Sequence, residues 1–309
     1  MVCEPWLDAR GELGNRWGLR AASDSFRLRG GAISRSLAPA RPFDYETKTW
    51  GVAPLRPRPW YLNGLKLSYL LSDLKLVRGK VLDVGCGGGS VTRAVKKERP
   101  DLEVYGCDLS RSALSIASAS PDGVDFRLAT AERLPFANGE LDFVWIFDVL
   151  EHVENPEQVL REVARVLRPG GGFHIVLPLE GQPWTLYRLV GCGTRWTAKV
   201  RHCGHTQIFS ADRFRAVASA CNLPVARSRW SYHLLLQVLD LLYFSWLDVR
   251  GPVSGSIEDI SGSRRGVLGG MMRIAAKFVA CIAWGEASLL HALPGGCAHF
   301  TCERIAPTS

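Results

Sequence analysis

Between Lys80 and Pro178 the chain switches repeatedly between short apolar runs and stretches of helical period, and that rhythm limits the fold more than any other feature. KVLDVG (80–85), EVYGCDL (103–109), VDFRLAT (124–130), LDFVWIFDV (141–149) and GFHIVLP (172–178) read as strands. SVTRAVKKERP (90–100), SRSALSIASAS (110–120) and PEQVLREVARVL (from Pro156) read as helices between them. Pro100 stops the first of these, and Asn155-Pro156 opens the last as N-cap and first helical residue. LDFVWIFDV is apolar enough to be buried on both faces. Strands alternating with helices imply a parallel sheet covered on both sides. Right-handed crossovers then bring every strand's carboxyl end to one edge, where ligands bind.

After Pro178 the rhythm loosens. FSADRFRAVASACNL (209–223) reads as a helix capped by Ser210, and PVARSRWSY (224–232) as a strand. Two very apolar segments follow, HLLLQVLDLLYFSWL (233–247) and VLGGMMRIAAKFVACIAWGEASLLHAL (267–293), divided by the Gly/Ser linker 251–263. CAHFTCERI (297–305) alternates like a last strand, so the apolar pair is an insertion before it. The expected organisation is an irregular arm (1–42), an N-terminal helical segment (43–77), a core (78–232), the apolar insertion (233–296), and the last strand with the C-terminus (297–309).

The turn after the first strand carries the chemistry. VLDVGCGGGS (81–90) spends four of its last six residues on glycine, which lets backbone approach a ligand where a Cβ would intervene. The start of the following helix can receive an anionic group. The dinucleotide fingerprint requires glycine or alanine where Ser90 stands, and no Gly-Lys-Ser/Thr follows for a phosphate-binding loop. What the stretch does match is Asp-x-Gly-x-Gly-x-Gly, as Asp83, Gly85, Gly87 and Gly89. Asp108 ends the second strand 25 residues after Asp83, where a carboxylate can accept from both hydroxyls of a ribose.

These motifs resemble, in order, those of class I S-adenosylmethionine-dependent methyltransferases. ATAERLPF after the third strand, and FDVLEHVENPEQVLREVARVLRPGG after the fourth, are similar to the ubiquinone/menaquinone-biosynthesis (methyltransferase type 11) group. The resemblance is close over about 78–178 and loose over 200–232. It implies a doubly wound α/β fold: a mostly parallel, seven-stranded Rossmann-like sheet with an antiparallel last strand. It implies S-adenosylmethionine as cofactor, with Asp83 and the turn Gly85, Cys86, Gly87 and Gly89 at the methionine end. Asp108 would hold the ribose, and Leu109, Ala131 and Glu132 would border the adenine. Phe147 would lie near the sulfonium. Thr130 stands where the family usually has an aspartate.

A base is required only for an acceptor that arrives protonated. Its place is beyond the fourth and fifth strands, where His152, His202 and His205 fall; His205, just before the Phe-Ser helix start, is favoured over His152. His202, Cys203 and His205 match no standard zinc spacing, so no metal is expected. The net charge of +8, from 38 basic and 30 acidic residues, keeps anionic partners open. Base N-methylation is disfavoured, because Phe147-Asp148-Val149-Leu150 stands in place of Asn/Asp-Pro-Pro-Tyr/Phe.

The expected activity is methyl transfer to oxygen or carbon of a small lipophilic acceptor: a quinone, isoprenoid or lipid precursor. The alternatives are an RNA or protein methyltransferase, supported only by the basic arm, and a membrane-attached protein that binds the cofactor without turnover. The insertion reads as a lid, as a peripheral membrane contact through 233–293, or as an added structural layer. Nine cysteines without a CxxC pair, and no apolar run near Met1, point to the cytoplasm, where the insertion would add a peripheral contact with the membrane face. Nothing in the sequence fixes an oligomeric state.

Overall fold

The computed structural model describes residues 46, 49–52, 55, 62–250 and 267–306. The arm expected over 1–42 and the linker over 251–263 lie outside the described residues. Seven strands form one sheet: β1 (Lys80–Val84), β2 (Glu103–Asp108), β3 (Asp125–Leu128), β4 (Leu141–Phe147), β5 (Leu167–Pro178), β6 (Val225–Ser231) and β7 (Cys297–Glu303). Their order is β3-β2-β1-β4-β5-β7-β6, and β7 runs antiparallel to both of its neighbours. The order reverses at β1, so the carboxyl ends of β1 and β4 diverge around a crevice.

Side-chain alternation sorts the strands between two layers of helices. Val81, Val104, Phe143 and Trp145 point to the side covered by α1 (Leu62–Leu74) and α2 (Ser90–Glu98), where Leu67, Leu70, Leu74 and Val95 meet them. Leu82, Val84, Val144 and Ile146 point to the other, with Val159, Leu160 and Val163 of α4 (Pro156–Val166) and Phe214 of α7 (Ala211–Ala220). From Phe143 to Ile146, β4 is exposed by no more than 2% at any residue. Each such apolar side chain contributes roughly 1.5–3 kcal/mol, which holds β4 firmly under the site.

The caps fall where the sequence places them. Asn155 accepts from Gln158 N at 3.1 Å, and Ser210 accepts from Arg213 N at 3.3 Å. Asp142 ties β1 to β5, accepting from Lys80 N at 2.9 Å and from Arg168 Nε at 2.6 Å. The fifth strand begins at Leu167 rather than Gly172, because the Arg168–Gly171 stretch stays extended through an irregularity opposite Leu141 and Phe143. Two short helices were not foreseen, α5 (Leu186–Val190) and α6 (Ala198–Cys203) beyond β5, where the sequence shows no period; α3 (Arg111–Ala117), expected over 110–120, is shorter.

The insertion forms α8 (Leu234–Arg250) and α9 (Val267–Leu290), between β6 and β7 as expected. α8 packs on α5 and α6, and α9 packs on β6, α1 and α8. The polar stripe of α8 faces inward: Gln237 is 4% exposed, while Leu242 and Val249 are 65% and 88% exposed. Among the described residues no helix is long and apolar enough to cross a membrane.

Candidate functional site

The glycine turn is tied down by its own chain. Gly85 N and Cys86 N donate to Cys107 O, at 2.7 and 2.9 Å, and Gly87 N donates to Asp108 Oδ2 at 2.8 Å. Gly85 has φ 76° and Gly87 φ 53°, the left-handed region. A Cβ at Gly85 would come within 2.3 Å of Val149, and one at Gly87 within 2.6 Å of Trp50 O. The bare backbone expected for a ligand is therefore demanded first by protein neighbours. Residues 49–52, not foreseen as part of the site, lie along the turn: Gly88 N donates to Trp50 O at 2.8 Å and Ser90 N to Gly51 O at 3.0 Å. The amide groups expected to receive an anion are thus already engaged. Gly89 is the left-handed residue from which α2 starts.

Asp83 lies beneath this turn rather than at its surface. It is 2% exposed and accepts from Thr92 Oγ1 at 2.7 Å. Burial pushes its carboxyl up to about 7, against the pull of the Thr92 hydroxyl. It shapes the turn from below, and Cys86 is likewise buried. Asp108 is half-buried at the sheet edge, where Oδ1 accepts from Ser110 N at 2.9 Å and Oδ2 from Gly87 N. Each carboxylate oxygen has a second lone pair, so two hydroxyls of a ribose can still be accepted there. Leu109 beside it is 50% exposed, an apolar surface at the position expected for adenine. A cavity of about 590 Å³ opens between Leu128–Thr130 and Arg133–Phe136, and Ala131 and Glu132 are the residues between those two segments. Glu46 accepts from Arg111 N and Ser112 N, at 2.9 and 3.0 Å, and closes the start of α3 next to Asp108. This carboxylate-and-apolar edge at the reversal of strand order fits a nucleoside with a vicinal diol.

Phe147 ends β4, and Asp148 follows with φ 52°. Lys66 reaches from α1 to Asp148 Oδ2 at 2.5 Å. Beyond them three loops converge. Thr206 N and Gln207 N donate to Glu151 O, at 2.8 and 3.0 Å, which fixes the segment after α6 against the turn after β4. His152 and His205, far apart in sequence, thereby meet edge to face with ring centroids 4.9 Å apart. His202 does not join them; it pairs with Asp248 of α8 at 2.9 Å.

The two rings carry different charges. His205 Nδ1 donates to Glu180 Oε1 at 2.9 Å, and both residues are buried. Burial opposes a charge on His205, but the Glu180 carboxylate outweighs it and holds the ring cationic, well above its usual range. Burial also works against Glu180, yet His205 and Lys199 keep its carboxyl below the usual carboxylate range. His152 is pushed down to about 4, by burial and then by the His205 charge. Its Nδ1 faces Gly204 O at 3.2 Å, so Nδ1 carries the hydrogen and Nε2 is the basic atom. Glu151 is fully buried beside them, and burial raises its carboxyl.

Glu151, His152 and His205 also present one ligand atom each within 4.8 Å of one another. A metal ion there would meet His205 at Nε2, the nitrogen facing Glu151, and would have to displace that atom's proton while the Nδ1 proton stays with Glu180. Sequence reasoning reached His152 and His205 but missed Glu180, Lys199 and Asp148. An acidic residue directly after a strand's carboxyl end was the available signal for Glu180; Lys199 had none.

The profile of a family described as "Methyltransferase domain" matches residues 82–175. Ubiquinone biosynthesis O-methyltransferase of Hahella chejuensis is 34% identical over 161 residues, covering 50% of this chain and 67% of that protein. The enzyme of the same name from Thiobacillus denitrificans is 39% identical over 115 residues, covering 36% of this chain and 49% of that protein. The chain thus spans about half the length of such curated relatives. Geranyl diphosphate C-methyltransferase from Streptomyces coelicolor A3(2), solved with Mg2+, geranyl diphosphate and S-adenosyl-L-homocysteine, shares the fold. Its TM-score is 0.52 at 15% identity, with 79% of this chain and 78% of that one covered. With this fold, these ordered motifs and that kinship, the chain belongs to the class I S-adenosylmethionine-dependent methyltransferases of the ubiquinone-biosynthesis group.

Proposed function

We infer that this chain methylates an oxygen or carbon of a small lipophilic acceptor of the quinone, isoprenoid or lipid-precursor class. The observation that carries the reading is His152, a neutral imidazole kept beside Glu151 and the His205–Glu180 ion pair, just past Phe147 at the crevice. Bound S-adenosylmethionine supplies a methyl group already activated by its sulfonium. Asp108 would take the ribose hydroxyls, and Leu109, Ala131 and Glu132 would flank the adenine. Gly85, Cys86, Gly87 and Gly89, braced by Asp83, would shape the methionine end, with Phe147 toward the sulfonium. His152 Nε2 takes the acceptor's proton as the new bond to the methyl group forms. Burial and the His205 cation keep the ring neutral beforehand and also weaken it as a base, so the two events have to be concerted. His205, favoured from sequence as the base, is reassigned here as the residue that tunes His152.

The quinone-like acceptor is supported by the relatives named ubiquinone biosynthesis O-methyltransferase. The test is methylation of a panel of long-chain diphenols by the wild-type protein and by His152→Ala. Turnover in wild type and its loss by at least a hundredfold in the variant, with cofactor binding intact, is the expected result. Equal rates in the two proteins would remove His152 from the chemistry.

A peripheral membrane contact through 233–293 belongs to the same reading. Leu234, Val238, Leu242, Trp246 and Val249 recur along the exposed side of α8, with Arg250 exposed at its end and Lys277 exposed on α9. The double variant Leu234→Glu/Leu242→Glu is expected to stop flotation with anionic vesicles; flotation equal to wild type would exclude this surface.

A further inference from the structure

The inward polar side of α8 is joined to the catalytic cluster by a chain of charges. Asp240 of α8 accepts from Lys199 Nζ of α6 at 2.9 Å and from the Tyr187 hydroxyl of α5 at 2.6 Å. The same ammonium lies 3.6 Å from Glu180 Oε1, the very oxygen that His205 Nδ1 reaches at 2.9 Å. Lys199 also sits 4.4 Å over the Tyr187 ring and is 6% exposed, so it has no route to solvent-borne counterions. Glu180 Oε2 accepts no hydrogen bond from the described residues. Two cations therefore compete for one carboxylate oxygen, and an aspartate from the insertion decides how hard one of them competes.

We propose that Lys199 and Asp240 are a positioning pair that sets the charge of the His205 ring, which makes the Asp240 carboxylate supplied by helix α8 a condition for the state of the His152–His205 pair. With Asp240 in place, the Lys199 charge is largely answered and Glu180 is left to His205. With Asp240 gone, the ammonium turns on Glu180 and repels the His205 cation, and the ring gives up its proton more readily. With Lys199 gone, Glu180 serves His205 alone and the proton is held more tightly. The other charged or titratable groups facing His205 are Glu151 and His152 from the turn after β4 and Cys203 from α6. None of them belongs to α8. The pairing thus gives the insertion a role that its exposed apolar side does not, since a helix seated on lipid or acceptor by one side is tied to the reacting centre by the other.

The inference rests on reading the cluster as the methyl-transfer site, but its test needs no acceptor. The full chain with 15N-labelled histidine reports the charge of each ring by NMR as pH is varied. Asp240→Asn is expected to lower the His205 midpoint by about one pH unit, the scale of one charge acting over roughly 10 Å of protein. Lys199→Met added to it is expected to restore the midpoint to wild type or above. Lys199→Met alone, an independent route should Asp240→Asn fold poorly, is expected to keep the ring protonated to higher pH than wild type. Gln237→Ala is the control. Gln237 holds α8 through Leu186 N and Tyr232 O without carrying charge, so its variant is expected to leave the midpoint in place. Shifts of the same sign in Asp240→Asn and Lys199→Met, or a Gln237→Ala shift as large as theirs, would overturn the proposal. Failure of every acceptor with the opposite-sign shifts intact would instead strike the activity and spare the coupling.

Discussion

The two halves of the crevice are built on different physical principles. The half under β1 and β2 is a backbone construction: amides of Gly85, Cys86, Gly87, Gly88 and Ser90 all end on nearby carbonyls or on Asp108. The half beyond β4 and β5 is an electrostatic one. Ion pairs among Lys66, Asp148, Glu180, Lys199, His205 and Asp240, from six separate stretches of chain, surround Glu151 and His152. A backbone turn fixes its shape through φ angles and short hydrogen bonds. A charge cluster fixes its shape only while every member keeps its partner. The first is suited to a ligand that does not vary within the family, the second to an acceptor that does.

The sharpest way to break this contrast is Glu180→Gln. It removes the anion shared by two buried cations, and a loss of about 3 kcal/mol in urea unfolding is expected, the low end for breaking a buried pair because His205 can shed its proton. A loss under about 0.5 kcal/mol would mean the cluster is not held by charge at all. Next is Asp108→Ala, which takes the acceptor from Gly87 N and Ser110 N and should lower stability by about 1–3 kcal/mol. Cofactor affinity should fall as well, by about a hundredfold in calorimetry, as expected when two hydrogen bonds to a charged acceptor are lost. Unchanged affinity would detach the ribose from this carboxylate.

The backbone half was legible in the sequence because its signals are local. Asp83, the glycines and Asp108 stand at fixed offsets from two strand ends, and strand ends follow from hydrophobic runs. The strand–helix order from β1 to β5 and the place of the insertion were legible for the same reason. What could not be read was depth. Asp83 looks from sequence like a surface ligand and is instead buried under the turn, because odd and even positions of β1 face opposite layers and both are covered. The charge half was legible only in its histidines. Lys199 and Asp240 are joined across 41 residues by tertiary packing alone, and no spacing rule carries that pairing. Gln237 and Asp240 are plain in the sequence of α8, but that they face inward is not, since the buried Lys199 that Asp240 meets lies 41 residues away.

The buried Asp83 gives an effect with a definite sign, small at each step because it is spread over several pH units. Its carboxyl keeps its proton up to about pH 7 in the folded chain, whereas its ordinary value is 3.8. Between those values the folded state holds more protons than the unfolded one, so this group's contribution is complete below 3.8 and is lost as pH rises through about 7. Asp83→Asn should therefore flatten the fall of stability with pH in that window, by about 1 kcal/mol per pH unit, measured by urea unfolding at several pH values. A wild-type stability that rises steadily from pH 4 to 7 with the same slope in the variant would show that Asp83 ionises freely where it lies.

The smallest expected effect tests whether the backbone half depends on side chains at all. Ser110 Oγ accepts from Ala113 N at 3.1 Å and caps α3, while Ser110 N, a separate atom, donates to Asp108. Ser110→Ala removes the cap and keeps the amide. It should cost about 1 kcal/mol of stability, the usual value of an N-cap hydroxyl, and change cofactor affinity by less than about threefold. A larger loss of affinity would mean that the hydroxyl, not the amide, orients Asp108. The cofactor half would then share the side-chain dependence of the acceptor half, and the distinction between them would lie in sequence separation rather than in kind of bond.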